Sequence, residues 1–445
     1  MGLAPLFLLV PPALELFVMP TVDSVAPSIR RPLGRSFSLF WFGEGVSLLG
    51  AATTSVLVPL LAVTQLSAGP GWMGLLTAAT WLPWLVIGLP AGAWMDRSDP
   101  RRIMITADLV AAAALASVPV AWWLDALGLA QLLVVALVTG TCTVFFRTGY
   151  VKLLPQIVPA GALETANARV FGTESAMQVV GPGVAGLLAQ VASAAVGLVG
   201  SVLGFCVSAI CLARIRVRPI RVRAATDVAL IAQISEGIRT VLADRNLRVL
   251  MAIGGVSNFG LTGYAALLVV FLAGDLRLTE AQVGVVIMIG GVGGLLGAVA
   301  APRLARRFGT GRASTVLLVI GGPSALLVGA PSSPEQLALT ATGLVLVGAA
   351  VVAGNVIRGA WRQRYVPSEL MGRVLTTMQV VNYGTMPLAG LVAGLLGSHW
   401  GVQPAILLLA GIHAVACLSI VGTRLGRMRI LPVRPETAGD SSIRT

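Results

Sequence analysis

Charged residues are scarce in this chain. Only 11% of its 445 residues are Asp, Glu, Lys or Arg, whereas 56% are hydrophobic. Soluble domains carry about 25% charged residues, because their polar side chains must cover the apolar core. The few charged residues of this chain cannot cover so large an apolar surface. The composition therefore excludes a soluble globule and indicates a membrane protein.

Several residues that enzymes and metal sites need are also nearly absent. Lys152 is the single lysine and follows no Gly-rich phosphate loop, which excludes a Walker A nucleotide site. The two histidines, His399 and His413, are too far apart for an HExxH metal site. The four cysteines form no CxxC pair, which supports neither a zinc site nor a disulfide framework. We therefore expect no cofactor, no metal, no nucleotide and no enzymatic activity.

Long apolar runs recur along the whole chain. A bilayer core of about 30 Å is crossed by roughly 20 apolar residues in a helix. On this scale the chain has twelve spans, so we expect an all-α membrane protein with 12 transmembrane helices. The predicted spans cover residues 38–65, 71–94, 103–124, 127–151, 164–190, 193–213, 247–273, 281–304, 313–330, 335–359, 369–397 and 402–423.

The basic residues predict the orientation of these spans. The chain has 31 basic residues against 18 acidic ones. If the N-terminus is cytoplasmic, the loops on the outer side carry one basic residue, Arg277, and the arginine clusters lie inside. We therefore expect a multi-pass protein of the cell membrane with both termini cytoplasmic. The positive charge then reports topology, and no nucleic-acid partner is expected.

The spans fall into two pseudo-repeat halves of six. Val158-Pro159 before span five matches Val366-Pro367 before span eleven, an offset of 208 residues. Transporters built from two such halves hold substrate between them near the middle of the membrane. The predicted regions are an N-terminal segment (1–35, with an uncertain start), the first half (36–213), a basic cytoplasmic linker (214–245), the second half (246–424) and a cytoplasmic tail (425–445).

The linker also contains an amphipathic pattern. Its apolar residues at helical spacing predict a helix that lies along the membrane as a tether between the halves. They are Leu230, Ile234, Ile238 and Val241.

The loop between spans two and three carries a distinctive charge pattern. Gly92 precedes Asp96-Arg97, and Arg101-Arg102 follow. The loop resembles the Gly-x-x-x-Asp-Arg-x-x-x-Arg signature of the major facilitator superfamily. That resemblance implies an inner gate in which Asp96 contacts Arg373 at the start of span eleven. The corresponding loop of the second half has Ala301 in place of an aspartate, so we expect the charge network on one side only.

Span five contains a second motif. Gly181, Pro182 and Gly186 are similar to the Gly-Pro-x-x-Gly-Gly motif of proton-coupled exporters in the superfamily, with Ala185 replacing one glycine. A proline inside a helix removes a backbone hydrogen bond and produces a kink. The stretch 146–167 also resembles the branch that includes enterobactin exporters and macrolide-efflux proteins. These resemblances imply a drug:proton antiporter.

Ionisable residues within spans are costly in lipid and therefore mark functional sites. Glu44, Asp108 and Glu174 are the candidates for proton coupling, which needs a carboxyl that changes its protonation state. Alternatively, Glu44 pairs with an arginine and Asp108 supports the neighbouring arginine cluster.

Aromatic and amide side chains suit a large amphipathic ligand, although each could equally serve helix packing. The candidates for the substrate cavity are Trp81, Trp84, Arg147, Gln178, Asn258, Tyr264, Gln379, Asn382 and Tyr383.

Together these features predict a monomeric secondary transporter. It would export an amphipathic, drug-like molecule by proton antiport with alternating access. A siderophore or lipid exporter and a non-transporting membrane sensor are the alternatives, and sodium could replace the proton. The expected partners are a small molecule, protons and the lipid bilayer.

Overall fold

A computed structural model describes residues 33–217 and 230–433, without the side chains of residues 89, 93, 96, 160, 230–236, 368 and 369. The described residues form helices and connecting turns, with no strand among them. Twelve helical segments are long and apolar enough to cross a membrane, which confirms the predicted fold class. The helices are α1 (Gly34–Thr64), α2 (Pro70–Asp96), α3 (Pro100–Trp123), α4 (Leu129–Ile157), α5 (Leu163–Ala192), α6 (Ala194–Arg214), α7 (Leu230–Ala243), α8 (Arg245–Val270), α9 (Glu280–Phe308), α10 (Thr310–Ser324), α11 (Leu337–Tyr365), α12 (Ser368–Trp400) and α13 (Val402–Leu418).

Two helices run further than the hydropathy predicted. The predicted spans 127–151 and 335–359 stopped about six residues early, because polar residues follow their apolar runs. In the structure α4 continues to Ile157 and α11 to Tyr365. Each ends where the next residue, Val158 or Val366, is extended and precedes a proline, which disfavours helical backbone in the residue before it. The repeated Val-Pro pair therefore acts as a helix stop in both halves.

The helix ends divide between two sides of the bundle. We call the side with the turns at 97–99, 158–162 and 366–367 the basic end, because the arginine clusters lie there. The opposite end carries the turns at 65–69, 124–128, 276–279 and 331–336. Residues 34–214 and 245–422 each contribute six of the twelve segments, and α7 lies between them.

The two halves share a core only toward the opposite end. One apolar cluster joins residues of both halves there, including Leu61, Met73, Tyr264 and Ala393. Toward the basic end the core is split into clusters that each belong to one half, such as one around Phe37 and Leu153 and another around Val241 and Val374. The halves are thus packed together at one end of the molecule and separate toward the other.

Glycines allow the close contacts between the halves, which run from α2 to α12 and from α5 to α9. A Cβ added to Gly74 would lie 2.7 Å from the Cα atom of Gly394 on α12. A Cβ added to Gly186 would lie 2.8 Å from the Cα atom of Gly284 on α9. Any side chain at these positions would push the paired backbones apart.

The linker helix α7 packs against the second half. Val241 is fully buried in the cluster with Val374, and Gly237 is so close to α12 that an added Cβ would lie 2.7 Å from the Arg373 carbonyl oxygen. Ile238 is exposed, while the side chains of Leu230 and Ile234 lie outside the described residues. The part of α7 that the structure describes therefore docks on α12, which the tether prediction did not include.

The first part of the predicted cytoplasmic tail is also folded onto the second half. The Gly311 amide donates to the Arg429 carbonyl oxygen at 3.0 Å, and the Leu431 amide donates to Thr310 Oγ1 at 2.9 Å. Trp361 Nε1 donates to the Pro432 carbonyl oxygen at 2.8 Å. These bonds attach residues 429–432 to the basic ends of α10 and α11.

Candidate functional site

The first half contains a cluster of ionisable side chains contributed by four helices. Glu44 on α1, Asp108 on α3, Arg147 on α4 and Glu174 on α5 lie close enough for their charges to interact. Arg147 Nη1 donates to Glu174 Oε2 at 3.1 Å, and Nη2 donates to the other carboxylate oxygen. Glu174 is therefore neutralised by a two-point ion pair.

The other two carboxyl groups of the cluster are not neutralised in this way. Glu44 is 5% exposed and Asp108 is 2% exposed, and neither forms an ion pair with the residues that the structure describes. Glu44 Oε2 and Asp108 Oδ2 are buried without a hydrogen-bond partner there. Ser208 on α6 is the polar neighbour of Asp108. Among the residues that the structure describes, no arginine forms an ion pair with Glu44, as the alternative interpretation would require.

The arginine cluster near Asp108 has different partners. Arg101 Nε donates to the Leu212 carbonyl oxygen at 2.7 Å, and its Nη2 donates to the Ala213 carbonyl oxygen. Arg102 lies 3.5 Å from Asp99, which also accepts the Arg101 amide and caps α3. Among the described residues Asp108 forms no ion pair with this cluster, and Arg101 fixes the basic end of α6 to α3.

The remaining residues of the predicted inner gate are described in part. Arg97 follows the last residue of α2 and is exposed, and the Gly92 carbonyl oxygen accepts a bond from Lys152 Nζ at 3.4 Å. Arg373 is half-buried on α12. The Asp96 side chain lies outside the described residues, so the predicted contact between Asp96 and Arg373 stays a prediction.

The motif in span five packs against a helix of each half. Gly181 faces α1, where an added Cβ would lie 3.1 Å from the Ala52 carbonyl carbon. Gly186 faces Gly284 on α9, and Pro182 lies inside α5 between them. The small residues therefore serve close helix packing at the opposite end of the bundle.

Aromatic side chains join the halves in the middle of the bundle. Tyr383 on α12 stacks on Trp81 with ring centroids 5.8 Å apart, and the Trp84 ring lies 4.9 Å from it at a tilted angle. The structure thus brings three of the predicted cavity residues, from both halves, into one group. Arg147 and Glu174 act electrostatically on the Tyr383 hydroxyl, which places this group beside the charged cluster.

A cavity of about 460 Å³ opens from this aromatic group into the second half. Its volume falls within the range of roughly 300–1,000 Å³ that ligand sites occupy. The predicted residues Asn258, Gln379, Asn382 and Tyr383 line it. The side chain of Gln178 is instead exposed on α5, and Tyr264 is buried in the apolar cluster at the opposite end and does not line this cavity.

Sequence reasoning did not assign several polar residues to this cavity. Arg358, Arg362 and His413 line it, and His413 Nδ1 lies 3.0 Å from Ser257 Oγ. Arg358 and Arg362 are four residues apart, so they share one face of α11. The four-residue spacing is visible in the sequence. The predicted span ended at residue 359, however, so one arginine was assigned to a span and the other to a loop.

The comparisons with known proteins agree with this architecture. The Major Facilitator Superfamily profile matches residues 40–389. The multidrug efflux pump Tap of Mycobacterium tuberculosis is 28% identical over 415 residues, which cover 90% of this chain and 94% of that protein. Macrolide efflux protein A of Streptococcus pyogenes is 23% identical and covers 89% of this chain and 98% of its own.

Solved structures share the fold. A bacterial homologue of the iron transporter ferroportin in its inward-facing state aligns with a TM-score of 0.67 at 16% identity, covering 87% of this chain and 100% of that one. A bacterial homologue of ferroportin in the outward-facing state aligns with a TM-score of 0.56 at 18% identity, covering 86% of this chain and 97% of that one. With its twelve spans, two six-helix halves and matching profile, this chain belongs to the Major Facilitator Superfamily.

Proposed function

We propose that this protein exports an amphipathic small molecule across the cytoplasmic membrane in exchange for protons. The similarity to two efflux pumps over about nine-tenths of the chain supports the direction of transport and the class of substrate. The buried carboxyl of Glu44, which has no ion-pair partner among the described residues, is the observation that carries the proton coupling. The protein would act as a monomer without a nucleotide.

The arrangement of charge supports a cytoplasmic basic end. Positive residues are retained on the cytoplasmic side of membrane proteins, and the arginine clusters of this bundle gather at one end. In that orientation the shared apolar core closes the outer side, and the split between the one-half clusters faces the cytoplasm. The higher similarity to the inward-facing ferroportin homologue agrees with this assignment.

Alternating access would then proceed as a rocking of the two halves. The outer contact rests on glycine pairs such as Gly74 with Gly394, which give close packing without locking side chains together. Few hydrogen bonds between described residues cross the outer side. Thr64 Oγ1 donates one of them to Glu280 Oε1 at 3.1 Å. A contact of this kind can separate at low cost while the other end closes.

The charged cluster suggests how a proton is exchanged for substrate. Glu174 is paired with Arg147, so a positive charge already balances its carboxylate. Glu44 has no such partner among the described residues, and an anion buried without a partner is costly. We therefore assign the coupling role to Glu44, with Asp108 as the second carboxyl in the same environment.

The direct test uses inverted membrane vesicles with an acidic interior. A pH-sensitive dye reports proton release while a macrolide, ethidium or lysophosphatidylcholine is added outside. We expect release with the wild type, loss of release with Glu44→Gln, and normal release with Glu164→Gln, whose side chain is exposed at the basic end of α5. Proton release that persists in Glu44→Gln would reject Glu44 as the coupling group, and a folded wild type that is silent with every compound would reject the antiport.

A further inference from the structure

The cavity of the second half contains two arginines whose charge no described carboxylate balances. Arg358 and Arg362 both line it, and neither lies within 4 Å of an acidic side chain among the residues that the structure describes. Arg358 Nη1 and Arg362 Nε are buried and have no hydrogen-bond partner there. Leaving a guanidinium buried and unpaired costs several kcal/mol, so such groups normally have a counter-ion.

The partners that these arginines do have are neutral. Arg358 Nη2 donates to Asn355 Oδ1 at 3.3 Å, and Arg362 Nη1 lies 3.5 Å from the sulfur of Met378. Neither contact supplies negative charge. Two positive charges one helical turn apart thus face the same cavity.

The first half shows how the chain neutralises an arginine near the basic end of a spanning helix. There Arg147 on α4 is paired with Glu174 on α5. The offset of 208 residues between the Val-Pro pairs places Asn382 on α12 at the position equivalent to Glu174. Asn382 Oδ1 is also buried without a partner, and Asn382 lines the same cavity as Arg358. The same offset places Asn355 at the position equivalent to Arg147, and Arg358 lies three residues further along α11. The second half therefore has neutral amides at both equivalent positions and no carboxylate where the first half has Glu174.

The rest of the cavity wall suits an amphipathic molecule. The wall includes the hydrogen-bonding groups of Asn258 and Gln379 and apolar side chains such as Ile253, Leu318 and Met386. A ligand with one anionic group and an apolar body would place its charge against the arginines and its body against these side chains.

We propose that this cavity binds the anionic group, a carboxylate, sulfonate or phosphate, of an amphipathic molecule, with Arg358 and Arg362 as the charged contacts. The claim that such a molecule is transported rests on the proposed export function. The claim that such a molecule binds in this cavity does not depend on transport. The ligand class follows from the unbalanced charge and from the neutral residue at position 382.

The test compares two ligands that differ only in charge. The full-length protein is placed in nanodiscs of phosphatidylcholine, and the affinities of 1-pyrenebutyrate and its neutral methyl ester are measured by energy transfer from tryptophan, with protein-free discs subtracted. Hydrogen bonds to a charged group contribute roughly 1.5–3 kcal/mol, so the wild type should prefer the acid by about tenfold or more. Arg358→Gln and Arg362→Gln should each reduce that preference by about tenfold, while binding of the ester stays unchanged.

A matched variant and a second lipid complete the experiment. Arg364→Gln removes an exposed arginine from the same helix and should keep the full preference. Unchanged ester binding shows that each variant is folded. A wild type without preference, or a preference that survives both substitutions, would overturn the proposal. If the wild-type preference vanishes in phosphatidylglycerol discs, a lipid headgroup takes the site and the assignment to a transported molecule is overturned.

The result can be separated from the test of export. Anion preference without substrate-dependent proton release in vesicles would reject the export function and keep the site. Glu44-dependent proton release without anion preference would keep the export function and reject the site.

Discussion

Substituting Gly74 by alanine tests whether the contact between the halves at the opposite end sets the conformational equilibrium. The added Cβ would lie 2.7 Å from the Cα atom and 2.8 Å from the amide nitrogen of Gly394. Unstrained carbon atoms prefer separations of about 3.5–4.0 Å, so α2 and α12 must move apart by about 1 Å. Because the neighbouring atoms belong to the backbone, no side-chain rotation can relieve the clash.

The expected size of the effect follows from the cost of overpacking. Such insertions cost about 1–3 kcal/mol, and this cost falls only on the state in which the opposite end is closed. The ratio of the two states should therefore change by about 5- to 150-fold toward the state that is open there. In the proposed cycle this is the outward-facing state.

The assay is a distance measurement between spin labels by pulsed electron resonance. Labels on Ser98 and Phe308 lie at the basic end of the first and second halves, and both positions are exposed. The four native cysteines are replaced by alanine. With Gly74→Ala the distance distribution should shift to shorter values, because the basic end closes as the opposite end opens.

Gly88→Ala is the matched control on the same helix. Its added Cβ would meet only a Trp84 ring carbon at 3.9 Å, an ordinary contact, so the distances should match those of the parent protein. An unchanged distribution in folded Gly74→Ala would refute the reasoning, since the clash would then have been absorbed without moving the halves.

Three further predictions concern the charged and aromatic groups. Arg147→Gln leaves Glu174 without its partner and, since the arginine side chain is 34% exposed, should cost about 1–2 kcal/mol of stability. The Arg147→Gln/Glu174→Gln double variant should recover most of that loss in thermal unfolding, and an additive loss would contradict the ion pair. Tyr383→Ala removes ring contacts worth about 0.5–1.5 kcal/mol and should weaken binding of an aromatic substrate by about 2- to 12-fold, whereas Tyr383→Phe should bind normally. Asp96→Asn should reduce transport in vesicles while circular dichroism stays unchanged, and full transport would count against the gate.

The number and position of the spans were predictable because they depend on local composition. A run of about 20 apolar residues forms a helix in lipid whatever surrounds it, since the backbone has no other hydrogen-bond partners there. The errors occurred at the ends of α4 and α11, where the helix continues through polar residues such as Arg362 up to the Val-Pro stop. At those positions backbone geometry, not hydropathy, ends the helix.

The candidate site was predictable in its residue types but not in its pairing. Buried carboxyl groups stand out in apolar spans, so Glu44, Asp108 and Glu174 could all be selected. Which of them has an arginine partner depends on the rotation of each helix about its axis. Helices such as α1, which is apolar on nearly all sides, give no signal for that rotation.

The sequence by itself determined that this is a membrane protein with twelve spanning helices and with its positive charge at one end. Composition and charge can be read for each segment without knowing its neighbours in space. Tertiary structure alone decided that Arg147 meets Glu174, that Glu44 has no ion-pair partner among the described residues, and that Arg358 and Arg362 share a cavity without a described counter-charge. It also decided which end of the bundle is closed. These features depend on contacts between residues far apart in the chain, where a shift of one helical turn exchanges one neighbour for another.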